Sequence, residues 1–205
     1  GIRDLRMSRG LEMCIRDRPW YDREKRSLPW RDIVTPYRTW VSEIMLQQTR
    51  VQAVLPYFER FMSAAPDVPA LAELAEDRLL SLWQGLGYYS RARSLQRSAR
   101  VMVDQYGGCL PDTYRDLIQL PGIGDYTAGA ILSIAFNKAV PAVDGNVLRI
   151  AARLTACDDN VLDMRTRQHV RDALAAVMPT DRPGDFNQAM MDLGAAVCLL
   201  SLIHI

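Results

Sequence analysis

Apolar residues recur through the interior of this chain at helical spacing, three and four apart, with brief polar or Pro/Gly breaks between the runs. Trp40, Val41, Ile44 and Met45 predict a helix over 39–48. Val51, Val54, Leu55, Phe58, Phe61 and Met62 predict another over 51–62. Further helices are expected over 70–75, 76–83, 92–106, 114–120, 126–136, 147–154, 166–177 and 186–198. The breaks fall at Pro66, Gly85–Gly87, Gly107–Gly108, Pro121–Gly124, Pro141 and Pro183–Gly184. No run of strict alternation suggests a strand series, so the expected fold class is all-α. Neither an internal repeat nor a low-complexity linker interrupts the pattern.

Composition narrows the picture. Hydrophobic residues make up 49% and charged residues 24% of the 205 residues, as in a globular protein with a real core. The longest apolar runs are far shorter than the ~20 residues of a membrane-spanning helix. No secretory signal is recognisable, which makes a cytoplasmic (or, in a eukaryote, nuclear) location the expectation. The four cysteines, Cys14, Cys109, Cys157 and Cys198, form no Cys-x-x-Cys pair, so they suggest neither a zinc site nor a disulfide framework. The N-terminal 1–18 and C-terminal 199–205 segments lack a steady period and read as non-native sequence fused to a partial reading frame.

Net charge is only +1, but its distribution is uneven. Arg78, Arg91, Arg93, Arg97 and Arg100 fall in a stretch, Arg78 to Val103, without a single acid. Such a stripe suits phosphate contact, although a solvated helix face would read the same way. Between two predicted helices lies Leu120-Pro121-Gly122-Ile123-Gly124-Asp125-Tyr126-Thr127. Pro121 is expected to stop the first helix, Gly122 and Gly124 to allow a tight hairpin, and Ile123 to pin it to the core. The next helix then offers its leading N–H groups to an anion, and a DNA phosphate fits that chemistry without sequence preference.

Two carboxylates stand out. Glu43 lies three residues after Trp40 at the edge of an apolar stripe, where burial favours a neutral, proton-donating carboxyl. A surface glutamate is the ordinary alternative. Asp144 precedes the predicted helix over 147–154 and reads as its N-cap, with catalysis as a second use for a carboxylate at a helix N-terminus. Cleaving an N-glycosidic bond needs both kinds of group, an acid for the leaving base and a negative charge beside a cationic sugar.

Read in order, Leu28-Pro29-Trp30-Arg31, Val41-Ser42-Glu43-Ile44-Met45-Leu46-Gln47-Gln48-Thr49-Arg50, Gly85-Leu86-Gly87-Tyr88-Tyr89-Ser90-Arg91, the hairpin and Val143-Asp144-Gly145-Asn146-Val147 resemble the adenine DNA glycosylases of the MutY type. The likeness runs from about Pro19 to Cys198. It implies a helix-hairpin-helix DNA glycosylase fold, with a six-helix domain over 30–138 whose hairpin unit spans 114–136. Residues 19–29 and 139–198 would form an incomplete iron-sulfur cluster domain. The implied activity is monofunctional, base-flipping excision of adenine opposite 8-oxoguanine or guanine from double-stranded DNA, by a monomer in the bacterial cytoplasm.

Carried over residue by residue, the resemblance makes Glu43 the acid that protonates adenine and Asp144 the carboxylate beside the sugar cation. Tyr126 and Asn146 would position those groups and the water. Trp30, Arg31, Leu46 and Gln188 would surround the flipped base, and Gln48 and Tyr88 would enter the stack it leaves. Thr49, Arg91, Gly122, Gly124, Tyr126 and Thr127 complete the expected DNA contacts. Cys198 matches the first of four cysteines that hold a [4Fe–4S] cluster in the family. The other three have no counterpart here, so this chain is expected not to bind a cluster that its intact parent holds. The C-terminal domain that reads 8-oxoguanine is likewise without a counterpart. Two competing functional readings remain, beside a structural one in which the chain, lacking the cluster that packs on 186–198, does not stay folded and is impaired. One is a bifunctional endonuclease III-like lyase, which would carry a lysine where Tyr126 stands. The other is a DNA-binding module without catalysis.

Overall fold

The computed structural model describes residues 18–161 and 163–198, and every regular element among them is a helix. The segments 1–17 and 199–205, and with them Cys14, lie outside the described residues. The chain divides into two compact units. One is Ser27–Ile131, and the other combines the described residues before Ser27 with those after Ile131.

In the first unit the helices are α2 (Pro29–Asp32), α3 (Pro36–Leu46), α4 (Val51–Ala64), α5 (Val68–Glu73), α6 (Glu76–Trp83), α7 (Tyr89–Tyr106), α8 (Tyr114–Leu117) and the greater part of α9 (Asp125–Ala135); α1 (Arg18–Glu24) belongs to the second unit. Local chemistry starts several of them. Thr35 caps α3, Asp67 caps α5 and Thr113 caps α8, each accepting from a backbone N–H of the first turn. Helix α3 packs against α2, α4 and α7, and this embeds it on more sides than one apolar stripe predicts. Trp40, Val41, Ile44 and Met45 join Phe58, Phe61, Leu79, Leu82 and Trp83 in the core. Phe61 meets Trp83 edge to face at 6.1 Å, and burying aromatic side chains of this size is worth roughly 1.5–3 kcal/mol each. The buried Tyr37 hydroxyl donates to Ala65 O at 2.7 Å. Burial, helped by the nearby charge of Asp67, pushes that phenol well above its ordinary range.

Helix α8 is shorter than the spacing predicts. It ends at Leu117, and turns from Gln119 N to Asp116 O and from Leu120 N to Leu117 O carry the chain on to Pro121. Pro121 therefore opens the hairpin rather than stopping a helix.

The second unit is built on α10 (Gly145–Thr155), α11 (Met164–Val177) and α12 (Pro183–Ala196). Val147, Ile150, Ala151, Val170, Leu174, Phe186 and Met190 form its core. Buried Asp192 on α12 accepts from Arg26 Nε at 2.8 Å, tying the chain near α1 to this unit. Among the described residues, no helix is long and apolar enough to cross a membrane.

Candidate functional site

Each unit gathers its own set of the sequence-predicted residues. In the first, Glu43 is only 5% exposed, on the third turn of α3 among Trp40, Ile44 and Met45. The expected burial is therefore present, and deeper than the edge of a stripe would provide. Trp30 on α2 is also buried, with its ring edge-to-face on Phe58 at 5.1 Å. Arg31 and Leu46 are half-buried. Helix α3 ends at Leu46, and Gln48 two residues later adopts φ +57°, a left-handed conformation unusual for a residue with a Cβ. Tyr88, immediately before α7, does the same at φ +49° with its side chain 61% exposed.

The hairpin is seated on α7. Ser98 Oγ donates to Pro121 O at 2.7 Å. Gly122 adopts φ +82°, and a Cβ there would lie 3.0 Å from Ser94 Cβ. Ile123 is buried as its anchoring role requires. Gly124 has neither a left-handed φ nor a neighbour that a Cβ would meet, so only the first hairpin glycine is demanded by geometry. The first intrahelical bond of α9 runs from Ala128 N to Gly124 O, which puts the amides of 125–127 ahead of it at the helix N-terminus. Tyr126 is half-buried there. The Thr127 side chain is buried and its hydroxyl accepts from Gln47 Nε2 at 3.5 Å, so only its backbone remains for a phosphate.

Arg91 also departs from the expected phosphate stripe. Arg93, Arg97 and Arg100 are exposed, but the Arg91 guanidinium points into the protein, onto the carbonyls of Ile44 and Met45, each at 3.0 Å. Withdrawal from water lowers its pKa, only partly offset by Tyr88. Helical spacing carried the signal, because 91 shares a face with the buried residues Leu95, Ser98 and Met102.

In the second unit Asp144 is the N-cap of α10, with Oδ1 accepting from Val147 N at 2.8 Å. Its Oδ2 accepts from Asn146 Nδ2 at 2.9 Å. The amide oxygen of Asn146 accepts in turn from Arg149 at 3.0 Å, and Arg149 also donates to Gly194 O and Cys198 O. A Cβ on Gly194 would lie 2.8 Å from Asn146 Cβ, so α12 approaches α10 as closely as a glycine allows. Gln188 is buried on α12. Its neighbour Asn187 donates to Ser133 Oγ and Val140 O and accepts from Ala142 N, fixing the segment that leads to Asp144. Sequence reasoning passed over Arg149 and Asn187. Arg149, three residues beyond Asn146, could have been found by helical spacing. Asn187 depends on contacts about fifty residues away and carries no local signal.

Among the described residues the cysteines are not gathered at one site. Cys109, Cys157 and Cys198 have free thiols, and no group of three potential metal ligands occurs among the described residues. Cys198 Sγ instead accepts from Arg153 at 3.1 Å. One thiolate does not fit a cluster that needs four.

Comparisons with known proteins converge on one group. The HhH-GPD superfamily of base excision DNA repair proteins matches residues 41–176. The adenine DNA glycosylase of Mus musculus is 46% identical over 188 residues, covering 87% of this chain and 36% of the relative. That of Buchnera aphidicola from Acyrthosiphon pisum is 41% identical over 181 residues, covering 88% and 52%. The chain thus spans about a third to a half of the length of these relatives. In fold it resembles a thermostable thymine-DNA glycosylase, with TM-score 0.83 at 23% identity over 96% of this chain and 89% of the other. It also resembles endonuclease III in a trapped covalent DNA intermediate, with TM-score 0.78 at 22% identity over 94% and 88%. A helix-hairpin-helix core, a buried acid on α3 and a match over two-thirds of its length make this chain a member of the HhH-GPD superfamily of base excision DNA repair proteins.

Proposed function

We propose that the protein to which this chain belongs is a monofunctional adenine DNA glycosylase that removes adenine opposite 8-oxoguanine or guanine. The observation that carries the reading is Glu43. Its carboxyl side chain is held at 5% exposure on α3, shielded from bulk water, which is the setting proton donation to a leaving base requires. Identity near 46% to an adenine DNA glycosylase supports adenine as that base.

In this reading Glu43 delivers its proton to adenine as the N-glycosidic bond breaks. Asp144 supplies negative charge to the sugar cation, and Asn146, which donates to Asp144, orients that carboxylate. Tyr126 aids positioning. Trp30, Arg31, Leu46 and Gln188 hold the flipped base, and Gln48 and Tyr88 occupy the gap in the stack. A tyrosine at 126 offers no amine for attack on the sugar, which supports hydrolysis without strand cleavage. Cys198 would be the first of four cluster ligands in the longer protein. The exposed arginines of α7 and the N-terminus of α9 suit duplex phosphates.

The test is adenine release from a duplex carrying adenine opposite 8-oxoguanine, with borohydride trapping alongside. Release without a trapped cross-link is expected. A cross-link would favour the endonuclease III-like lyase. Duplex binding without release of any base would favour a binding module.

A further inference from the structure

Gln48 and Tyr88 share an unusual feature. They are two of the four non-glycine residues with positive φ among the described residues, and both are exposed. Side chains in the left-handed region persist where the surroundings over-determine the backbone. Here the surroundings are largely one side chain. The Arg91 guanidinium donates to the carbonyls of Ile44 and Met45 at 3.0 Å each, and to that of Gln47, directly before Gln48. It donates to Thr49 Oγ1 at 3.2 Å, directly after Gln48. It also donates to the carbonyls of Leu86 and Gly87, each at 3.2 Å, directly before Tyr88. Its carbon lies 5.4 Å from the Tyr88 ring centre, and its own amide donates to Tyr88 O at 2.9 Å. The Nε is buried without a hydrogen-bond partner. No donor of this group is left pointing at a phosphate.

We infer that Arg91 is a positioning residue: it locks the loop carrying Gln48 and the loop carrying Tyr88 into one rigid unit and thereby governs base extrusion, without contacting DNA itself. This rests on the proposed function only in taking Gln48 and Tyr88 as the residues that enter the base stack. A planar fork of donors is what spanning two loops requires. Lysine keeps the charge but presents its donors from a single point.

The experiment uses a duplex with 2-aminopurine at the target position, whose fluorescence rises on unstacking, and compares the chain with Arg91→Lys and Arg91→Ala. Binding is followed against salt, with Arg97→Ala as the comparator for loss of a phosphate contact. Amide hydrogen exchange at 47–49 and 86–88 is read in the free proteins. Arg91→Lys should bind with an unchanged salt slope, lose about tenfold in the extrusion equilibrium, and exchange faster in both loops together. Arg97→Ala should lower the slope by about 0.9. The inference is overturned by full extrusion in Arg91→Lys, by a slope loss in Arg91→Ala like that of Arg97→Ala, or by faster exchange in one loop alone. Absence of unstacking in the unaltered chain, with loop exchange responding to Arg91→Lys as expected, would instead remove the glycosylase reading and leave the loop lock standing as a structural device only.

Discussion

The two carboxylate-bearing segments are held in opposite ways. Asp144 is fixed by its immediate neighbours, with both oxygens accepting from groups two and three residues away. Glu43 sits inside a helix buried by its packing, and the end of that helix is tied down by Arg91, more than forty residues further along the chain. A locally fixed group survives loosening of its surroundings, because its partners travel with it. A group fixed by distant packing is only as well placed as the whole unit.

The sharpest way to break the comparison is at the carboxylates themselves. Glu43→Gln keeps the shape of α3 and removes the proton, so adenine release should fall about 10²–10⁴-fold while helicity and duplex binding persist. Unchanged release would reduce Glu43 to a structural residue. Asp144→Asn should retain the cap, since Asn caps as well as Asp, yet lose about 10²–10³-fold in release with loss of charge. Activity that survives this change would leave Asp144 as a cap alone.

Gly194→Ala probes whether the Asp144 segment is as local as it looks. Its methyl group would press on Asn146, and overpacking of this kind costs about 1–3 kcal/mol in urea unfolding. If the local cap is self-sufficient, release should fall less than it does in Asp144→Asn. Asp144→Ala should cost about 0.5–2 kcal/mol of stability, a loss that Asp144→Asn avoids. The smallest effect is expected at Ser98→Ala, which removes one hydrogen bond to the hairpin at Pro121 and should cost about 0.5–1.5 kcal/mol, seen as a lower thermal midpoint and weaker duplex binding.

Much of this was readable before any coordinates. The cap at Asp144, the buried anchor Ile123 and the boundaries of α6 follow from spacing and from residue preferences within a few positions. Periodicity failed where several helices surround one. It placed Glu43 at the margin of a stripe, whereas α3 is covered by α2, α4 and α7. It failed again for Arg91, which looked like one more member of a basic run until its helical face was compared with Leu95 and Ser98.

The sequence alone determines that this protein is helical, where most of its helices lie to within a turn, and that a hairpin and two carboxylates occur in the order of an adenine glycosylase. These are matters of local backbone preference and of residue identity. Tertiary structure decides that Arg91 turns inward to clamp Gln48 and Tyr88, that Asn187 fixes the approach to Asp144, and that Gly194 leaves room for Asn146. Each of these brings together groups forty or more residues apart. A guanidinium or an amide carries no sequence mark of which distant carbonyl it will meet, so only the packed chain reveals the pairing.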